Sequence, residues 1–375
     1  MINYIIESRG ILSTEIDKSP FSSIFEGFTW LFSEPDKFKL IYCSSLSKYF
    51  QMISGSESAD YNYLIFDYHL IDVFRELNNI LLCGRSLETA NETIYRLLSE
   101  NLYLNSKYLD SLLLFGLSRN DIFKVTNGMD IKDETRICFI QICFMVIHEI
   151  IHWGCFANGK LQPEVSKKLN HILNGQNINT HLIGSRRQLL IDAINKTVRP
   201  PDERLLIYVD NILSRELEDY ICDTLSLFLT YRICKNTYEF QEESIIKSIF
   251  LCICHLQLLK NVDKISLGYE PVSFDVGLIV RKLNFMFDLW DLCENVEKCY
   301  DILNIYEKKY SSVFSNSLSK IGTQYKGIFY DKKLNIKDFL RLKKILLSLF
   351  ADISLSKTDL EWTVEIIDLE FSHYL

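Results

Sequence analysis

Hydrophobic and polar positions divide the chain into a short N-terminal part with β-like runs and a long part with helical periodicity. The largely apolar runs Phe38–Cys43 and Tyr63–Tyr68 have the length and composition typical of strands. After about residue 85, apolar residues recur every three or four positions, which predicts helices. The predicted helices span residues 89–104, 109–117, 130–157, 200–236, 241–260, 274–290, 293–309 and 337–352.

The helix predicted over 130–157 is apolar on nearly all of its faces. It begins with an acidic stretch, which suits the positive end of a helix dipole, and Asn158-Gly159 supplies its stop. From Cys138 to Trp153 it is almost continuously apolar, so we expect it to be buried. Residues 148–152 interrupt this run with the sequence HEIIH. Burying two imidazoles and a carboxylate without partners is costly, and a bound metal ion would offset that cost.

The HEIIH segment matches the H-E-x-x-H pattern of zinc-dependent hydrolases. Side chains at positions i and i+4 leave the same helix face, so His148 and His152 can both reach one Zn²⁺ at about 2.0–2.1 Å. Glu149 directly follows the first ligand, close enough to take a proton from a metal-bound water as general base. With only 7 His in 375 residues, a chance match in this setting is rare. The segment therefore predicts a catalytic zinc site.

Two His ligands need a third, because a catalytic zinc normally has three protein ligands. The metzincin pattern is excluded, since the positions of its Gly and His hold Cys155 and Asn158. A carboxylate from a later helix is the remaining common solution. The helix predicted over 200–236 carries acidic residues in a mostly apolar context: Glu216, Glu218, Asp219 and Asp223.

Together the two helices resemble those of the gluzincin class of zinc peptidases. In that class the second helix carries a zinc-binding Glu and, four residues later, an Asp that orients the first His. The segment CDTLS at 222–226 fits the family's small-D-x-x-small pattern, which assigns Asp223 to accept a hydrogen bond from the far nitrogen of His148. Four residues earlier stands Asp219 instead of Glu, and its shorter stem requires a closer approach of the helices. Asp219 is the preferred third ligand, and Glu218 and Glu216 remain alternatives.

Within this class, the chain length, the helical content and the central motif resemble the Lit-type phage-exclusion peptidases of bacteria. Members of that family cleave a host translation factor once a phage signal is present. The resemblance rests on the two motif segments alone. It implies a role in phage defence and an activity that depends on an activating partner.

Composition narrows the choice of partners and compartment. The net charge of −8 gives no electrostatic footprint for nucleic acid or an acidic membrane surface. No secretory signal is visible, and no second apolar stretch of about 20 residues joins the motif helix, so we expect a cytoplasmic protein with no membrane partner. The 11 Cys are odd in number and lie mostly in apolar helical runs, as reduced buried thiols do. Cys252 and Cys254 point to different faces of one predicted helix, which favours core packing.

The fold class predicted from these patterns is mainly α (α+β). We expect a zincin-like catalytic core in which two central helices carry the metal ligands, with a small β-containing N-terminal part and a helical C-terminal part. The corresponding regions are residues 1–125, 126–240 and 241–375, and no repeat or low-complexity linker marks their boundaries.

The remaining aromatic and His residues give weaker signals. Tyr220 and His181 are candidates to stabilise the oxyanion of a hydrolysis reaction. Trp153 is interpreted as a core residue. The other histidines have no spacing that connects them to the motif and are interpreted as surface or core residues: His69, His171, His255 and His373.

Three classes of function are consistent with the sequence. The first is a zinc endopeptidase that hydrolyses a specific protein or peptide substrate, with Glu149 as general base and Zn²⁺ held by His148, His152 and Asp219. The second is a partner-triggered toxin or defence metalloprotease of the phage-exclusion type. The third is a non-enzymatic interaction protein with a structural zinc-like site. Loss of activity in Glu149→Gln separates the first two from the third.

Overall fold

A computed structural model describes residues 13–15, 38–44, 48, 50–53, 62–84, 87–105, 107, 110–111, 114–115, 118, 130–152, 219, 222–269 and 275–321. Most of these residues are helical, and a small sheet precedes the helices, which confirms the mainly α class. The predictions for 153–218 and for 322–375, including the helix over 337–352, lie outside the described residues. The division into three regions stays a prediction.

Four short strands form one mixed sheet in the order β1-β2-β4-β3. Their bounds are Ser13–Glu15 for β1, Phe38–Ser44 for β2, Phe50–Ile53 for β3 and Asn62–Asp67 for β4. The central pair, β2 and β4, is parallel, whereas β1 and β3 run antiparallel to their neighbours. This confirms the two strands predicted from apolar runs. The outer strands, of three and four residues, are too short to give a period-2 signal.

Seven helices follow the sheet in the described residues. They are α1 (Tyr68–Leu82), α2 (Leu87–Leu104), α3 (Ile131–His152), α4 (222–236), α5 (Glu242–Ser266), α6 (Val276–Leu289) and α7 (Val296–Tyr310). After α7 the chain continues through a π-helical turn, Ser311–Ser315, into helical residues up to 321. Buried side chains from β4 and from all these helices belong to one hydrophobic core.

The boundary between β4 and α1 corrects the strand predicted to end at Tyr68. The side chain of Asp67 accepts a hydrogen bond from the backbone N–H of His69 at 2.9 Å and so caps the helix that begins at Tyr68. The sequence does not reveal this boundary, because Asp67 could equally be a polar residue at the end of a strand or the cap of a following helix. Helix α1 was not predicted as a separate element.

Helix α3 lies at the centre of the core. It packs against α5, α1 and the edge strand β3. Its residues from Ile140 to Ile147 are all buried, as the apolar run predicts. Helices α3 and α5 are each long and apolar enough to cross a membrane, which corrects the expectation of a single such stretch. Two-thirds of the apolar window (67%) is buried inside the fold in both helices. Core helices of soluble proteins have the same length and composition.

The predicted role of the Cys residues is confirmed for the described part of the chain. Ten Cys are described, all of them carry free thiols, and nine are buried. Both Cys252 and Cys254 are fully buried in the core, and burial raises the pKa of each thiol. They are packing residues in α5.

A buried network of polar side chains joins four of the helices. Oδ1 of Asn78 (α1) lies 2.9 Å from Nε2 of His255 (α5), whose Nδ1 lies 3.0 Å from the hydroxyl of Tyr310 (α7). The amide groups of Asn78 and Gln141 (α3) pair reciprocally at 2.9 and 3.1 Å. Burial lowers the pKa of His255 to about 3, so this imidazole is neutral. Nε2 must then carry the proton, because the Asn78 oxygen can only accept.

We expect Asn78→Ala to reduce the free energy of unfolding by about 2–5 kcal/mol, because it leaves the amide of Gln141 and Nε2–H of His255 buried without partners at about 1–3 kcal/mol each. Asn304, exposed on α7, provides the matched control. Asn304→Ala should stay within about 0.5 kcal/mol of the wild type. Urea denaturation measures both. Equal effects of the two substitutions would contradict the role of the network.

Lys48, which lies between β2 and β3 in the chain, forms a shielded ion pair with α2. Nζ of Lys48 lies 2.9 Å from Oε2 of Glu100 and 3.2 Å from Oδ1 of Asn101, and the backbone of Lys48 is left-handed with φ 53°. Arg96 and His69 also contact the Glu100 carboxylate. Burial alone would raise the pKa of Glu100, but the hydrogen bond with His69 and the charges of Lys48 and Arg96 hold that pKa at about 2. These contacts hold the side chain of Lys48 against α2.

Candidate metal centre

The last turn and a half of α3 carries the H-E-x-x-H residues. His148 and His152 lie one turn apart on the same face, and their ring centroids are 6.0 Å apart. The two Ile between them are buried in the core, which fixes the helix and leaves the imidazoles on its outer side. His148 and Glu149 both line a cavity beside α3.

Asp223, on helix α4, contacts the first His. Its Oδ1 lies 2.8 Å from Nδ1 of His148, and both side chains are largely shielded, with 16% and 19% of their surface exposed. The resemblance to the gluzincins predicts a hydrogen bond between these two residues. The structure places them in contact at this distance, but Nδ1 of His148 does not have the geometry of a hydrogen bond to Asp223. Since Nδ1 is occupied by Asp223, Nε2 is the nitrogen that remains for a metal ion.

The other oxygen of Asp223 contacts a lysine that the sequence analysis did not single out. Nζ of Lys282, from α6, forms an ion pair with Oδ2 of Asp223. The carboxylate therefore lies between an imidazole and an ammonium group. No motif links Lys282 to residues 59 positions earlier, so only the packing of α6 against the rest of the bundle shows this contact.

The pKa values follow from these contacts. Burial by itself would raise the pKa of Asp223, but the charge of Lys282 and the contact with His148 hold it well below its ordinary value. Burial would lower the pKa of His148, but the contact with Asp223 and the charges of Asp223 and Glu149 outweigh burial and raise it. Asp223 is thus ionised, and its negative charge lies against Nδ1 of His148.

Asp219 lies next to the second His. Its Oδ1 is 3.5 Å from Nε2 of His152, and its side chain is 58% exposed. The hydrogen bond with His152 lowers the pKa of Asp219, and this outweighs the opposing effect of partial burial. Two donor atoms on a tetrahedral zinc, with bonds of about 2.0–2.2 Å, are separated by roughly 3.4 Å. The observed separation is close to that value.

The donor set fits zinc in its chemistry, with two imidazoles and one carboxylate. Within the described ranges, however, no three His, Cys, Asp or Glu side chains are gathered closely enough to form a ready metal cage. The three proposed ligands are divided between two contacts, since His148 pairs with Asp223 and His152 pairs with Asp219. To bind one zinc ion, Nε2 of His148 would have to move closer to His152 and Asp219.

The cavity beside the motif has a volume of about 930 Å³. Apolar side chains line part of the cavity, among them Phe50 of β3, Phe144 and Ile253. Charged residues also line it, including Glu149, Lys282 and Lys48. A volume of this size accommodates several residues of a ligand and falls within the range typical of binding sites.

The described residues account for part of the predicted site. The structure brings His148, Glu149, Asp219 and Asp223 to one cavity. The remaining candidates for ligand or oxyanion roles lie outside the described residues: Glu216, Glu218, Tyr220 and His181. Two other histidines have partners elsewhere, His255 in the buried network and His69 on Glu100. Both fit the interpretation as histidines without a role in the site.

Comparisons with protein-family models, with characterised proteins and with solved structures found no match to this chain. The interpretation of the site therefore depends on its sequence pattern and its geometry.

The third ligand can be tested by substitution. We expect Asp219→Ala to reduce bound zinc from about one per chain to a small fraction of that, because a catalytic zinc needs three protein ligands. Glu218→Ala is the matched control and should retain zinc. Elemental analysis after equilibration with zinc and removal of excess metal measures both. Zinc loss in Glu218→Ala alone would show that the neighbouring acidic residue is the ligand.

Proposed function

We propose that the chain is a cytoplasmic zinc-dependent endopeptidase with a zincin-like core that acts on a specific protein or peptide substrate. The observation that carries this proposal is the pairing of both motif His residues with carboxylates of the second helix, His148 with Asp223 and His152 with Asp219. His148 and His152 are four residues apart in the chain, and so are Asp219 and Asp223. Residues with this spacing share one face of a helix, so the two pairs lie side by side where the two helices meet.

In this proposal His148, His152 and Asp219 hold the zinc ion. When bound, zinc supplies a Lewis acid that polarises the scissile carbonyl and lowers the pKa of a water to about 7. Asp223 keeps the proton of His148 on Nδ1, so that Nε2 stays free to act as a ligand.

Glu149 is the proposed general base. As water adds to the carbonyl carbon, the Glu149 carboxylate takes one of its protons. When the C–N bond breaks, the same proton passes to the leaving nitrogen, so the first products are a carboxylic acid and an amine, and Glu149 returns to its ionised form. The acid then gives its proton to the amine, which leaves a carboxylate and an ammonium group. Glu149 lines the cavity and directly follows the first proposed ligand in the chain, which supports this role.

The edge of the sheet supports a peptide as the substrate. Among the strands that the structure describes, β3 has a neighbour on one side only, β4. An extended peptide can add to such an edge through backbone hydrogen bonds. Because β3 packs against α3 and its Phe50 lines the cavity, a peptide on this edge would run past Glu149.

The composition also bears on partners. The net charge of −8 favours a protein or peptide ligand over nucleic acid.

The first test of the proposed function uses the purified chain, with zinc as the only addition, and a library of peptides from a digested proteome. Mass spectrometry of newly formed termini detects cleavage. If the zinc-loaded chain cleaves nothing, a stand-alone peptidase is contradicted, and a partner-triggered enzyme of the phage-exclusion type becomes the better interpretation.

Glu149→Gln should lower cleavage by about 10²–10⁴-fold, since the amide cannot accept the water proton. Its zinc content should equal that of the wild type, because Glu149 is not a ligand in this account. Glu134→Gln, the same change near the other end of α3, is the matched control and should keep full activity. Undiminished cleavage in Glu149→Gln would contradict the proposed base.

A further inference from the structure

Lys282 lines the cavity and contacts the Asp223–His148 pair from a third helix. It extends from α6, its side chain is 27% exposed, and its ammonium group contacts Oδ2 of Asp223. The opposite oxygen, Oδ1, contacts Nδ1 of His148 at 2.8 Å. Each carboxylate oxygen therefore has its own partner.

This division of the carboxylate fixes its orientation. A carboxylate with one partner can rotate about its Cβ–Cγ bond and present either oxygen, or both, to that partner. An ammonium group on Oδ2 removes this freedom and restricts Oδ1 to the imidazole. The His148 ring is then held with Nε2 directed away from Asp223.

We propose, on the basis of the zinc peptidase function above, that Lys282 is a positioning residue that acts through Asp223 to orient His148 for metal binding. The order of contacts is Lys282 to Asp223 to His148, across α6, α4 and α3. Lys282 itself does not bind the metal, since a protonated amine has no lone pair to donate.

Two other roles for Lys282 make different predictions. As a purely structural ion pair between α6 and α4, it would affect the free energy of unfolding and leave the metal site unchanged. As a substrate-binding group in the cavity, it would affect KM and leave zinc affinity and kcat unchanged. A positioning role affects zinc affinity and the coordination geometry first.

The test compares Lys282→Met, which keeps the apolar stem and removes the charge, with Lys282→Arg, which keeps the charge. Lys235→Met is the matched control, because Lys235 pairs with Glu294 at 3.2 Å on a different part of α4. Zinc affinity is measured by competition with a chromophoric chelator. The absorption spectrum of the Co²⁺-loaded chain reports the coordination geometry.

We expect Lys282→Met to weaken zinc binding by about tenfold, at the lower end of the range for residues that orient a ligand, and to change the Co²⁺ spectrum. Lys282→Arg should restore both, and Lys235→Met should leave both unchanged. Zinc affinity within about twofold of the wild type in Lys282→Met, with an unchanged Co²⁺ spectrum, would overturn the proposal.

The zinc affinity of the wild type distinguishes failure of the proposed role of Lys282 from failure of the proposed function. If the wild type binds zinc and cleaves peptides while Lys282→Met is unaltered, the role of Lys282 fails and the proposed function stands. If the wild type binds neither zinc nor Co²⁺, the proposed function fails, and the role of Lys282 fails with it. A change in KM alone would assign Lys282 to substrate binding.

Discussion

The contact between Asp223 and Nδ1 of His148 joins the two helices on which the proposed site depends. An imidazole in this partly buried position can turn its ring or shift its proton, and either change would remove Nε2 as a metal ligand. The ionised carboxylate against Nδ1 opposes both changes, because its negative charge favours a proton on that nitrogen. Lys282 in turn keeps that carboxylate charged and oriented.

Packing in the hydrophobic core fixes the position of the helix that carries His148. Helix α3 is buried over most of its length, and its backbone is fixed by packing against α1, α5 and β3. The polar network through Gln141 and Asn78 adds directional contacts in the middle of that helix, where apolar packing alone would allow it to slide or rotate. The motif residues at the end of α3 therefore stand on a rigid element, as a metal site needs.

The sequence predicted the parts of this arrangement that depend on local pattern. The shared helix face of His148 and His152 follows from helical geometry, and β2 and β4 follow from apolar runs. The role of Asp223 was predicted only from the resemblance of residues 222–226 to the second helix of the gluzincins. Lys282 and the His255 network could not be predicted, since each joins residues far apart in sequence whose contact depends on how helices pack. The outer strands β1 and β3 were missed because three or four residues carry too little periodicity.

Zinc-edge X-ray absorption on the zinc-loaded chain is the most direct test of the proposed metal site, because it identifies the atoms bound to the metal. A site formed by His148, His152 and Asp219 predicts about one four-coordinate zinc per chain, with only nitrogen and oxygen ligands at about 2.0–2.2 Å and scattering from two imidazoles. Sulfur at about 2.3 Å would place the metal on Cys residues instead. That result, or a chain that binds no zinc, would contradict a site built on His148 and His152.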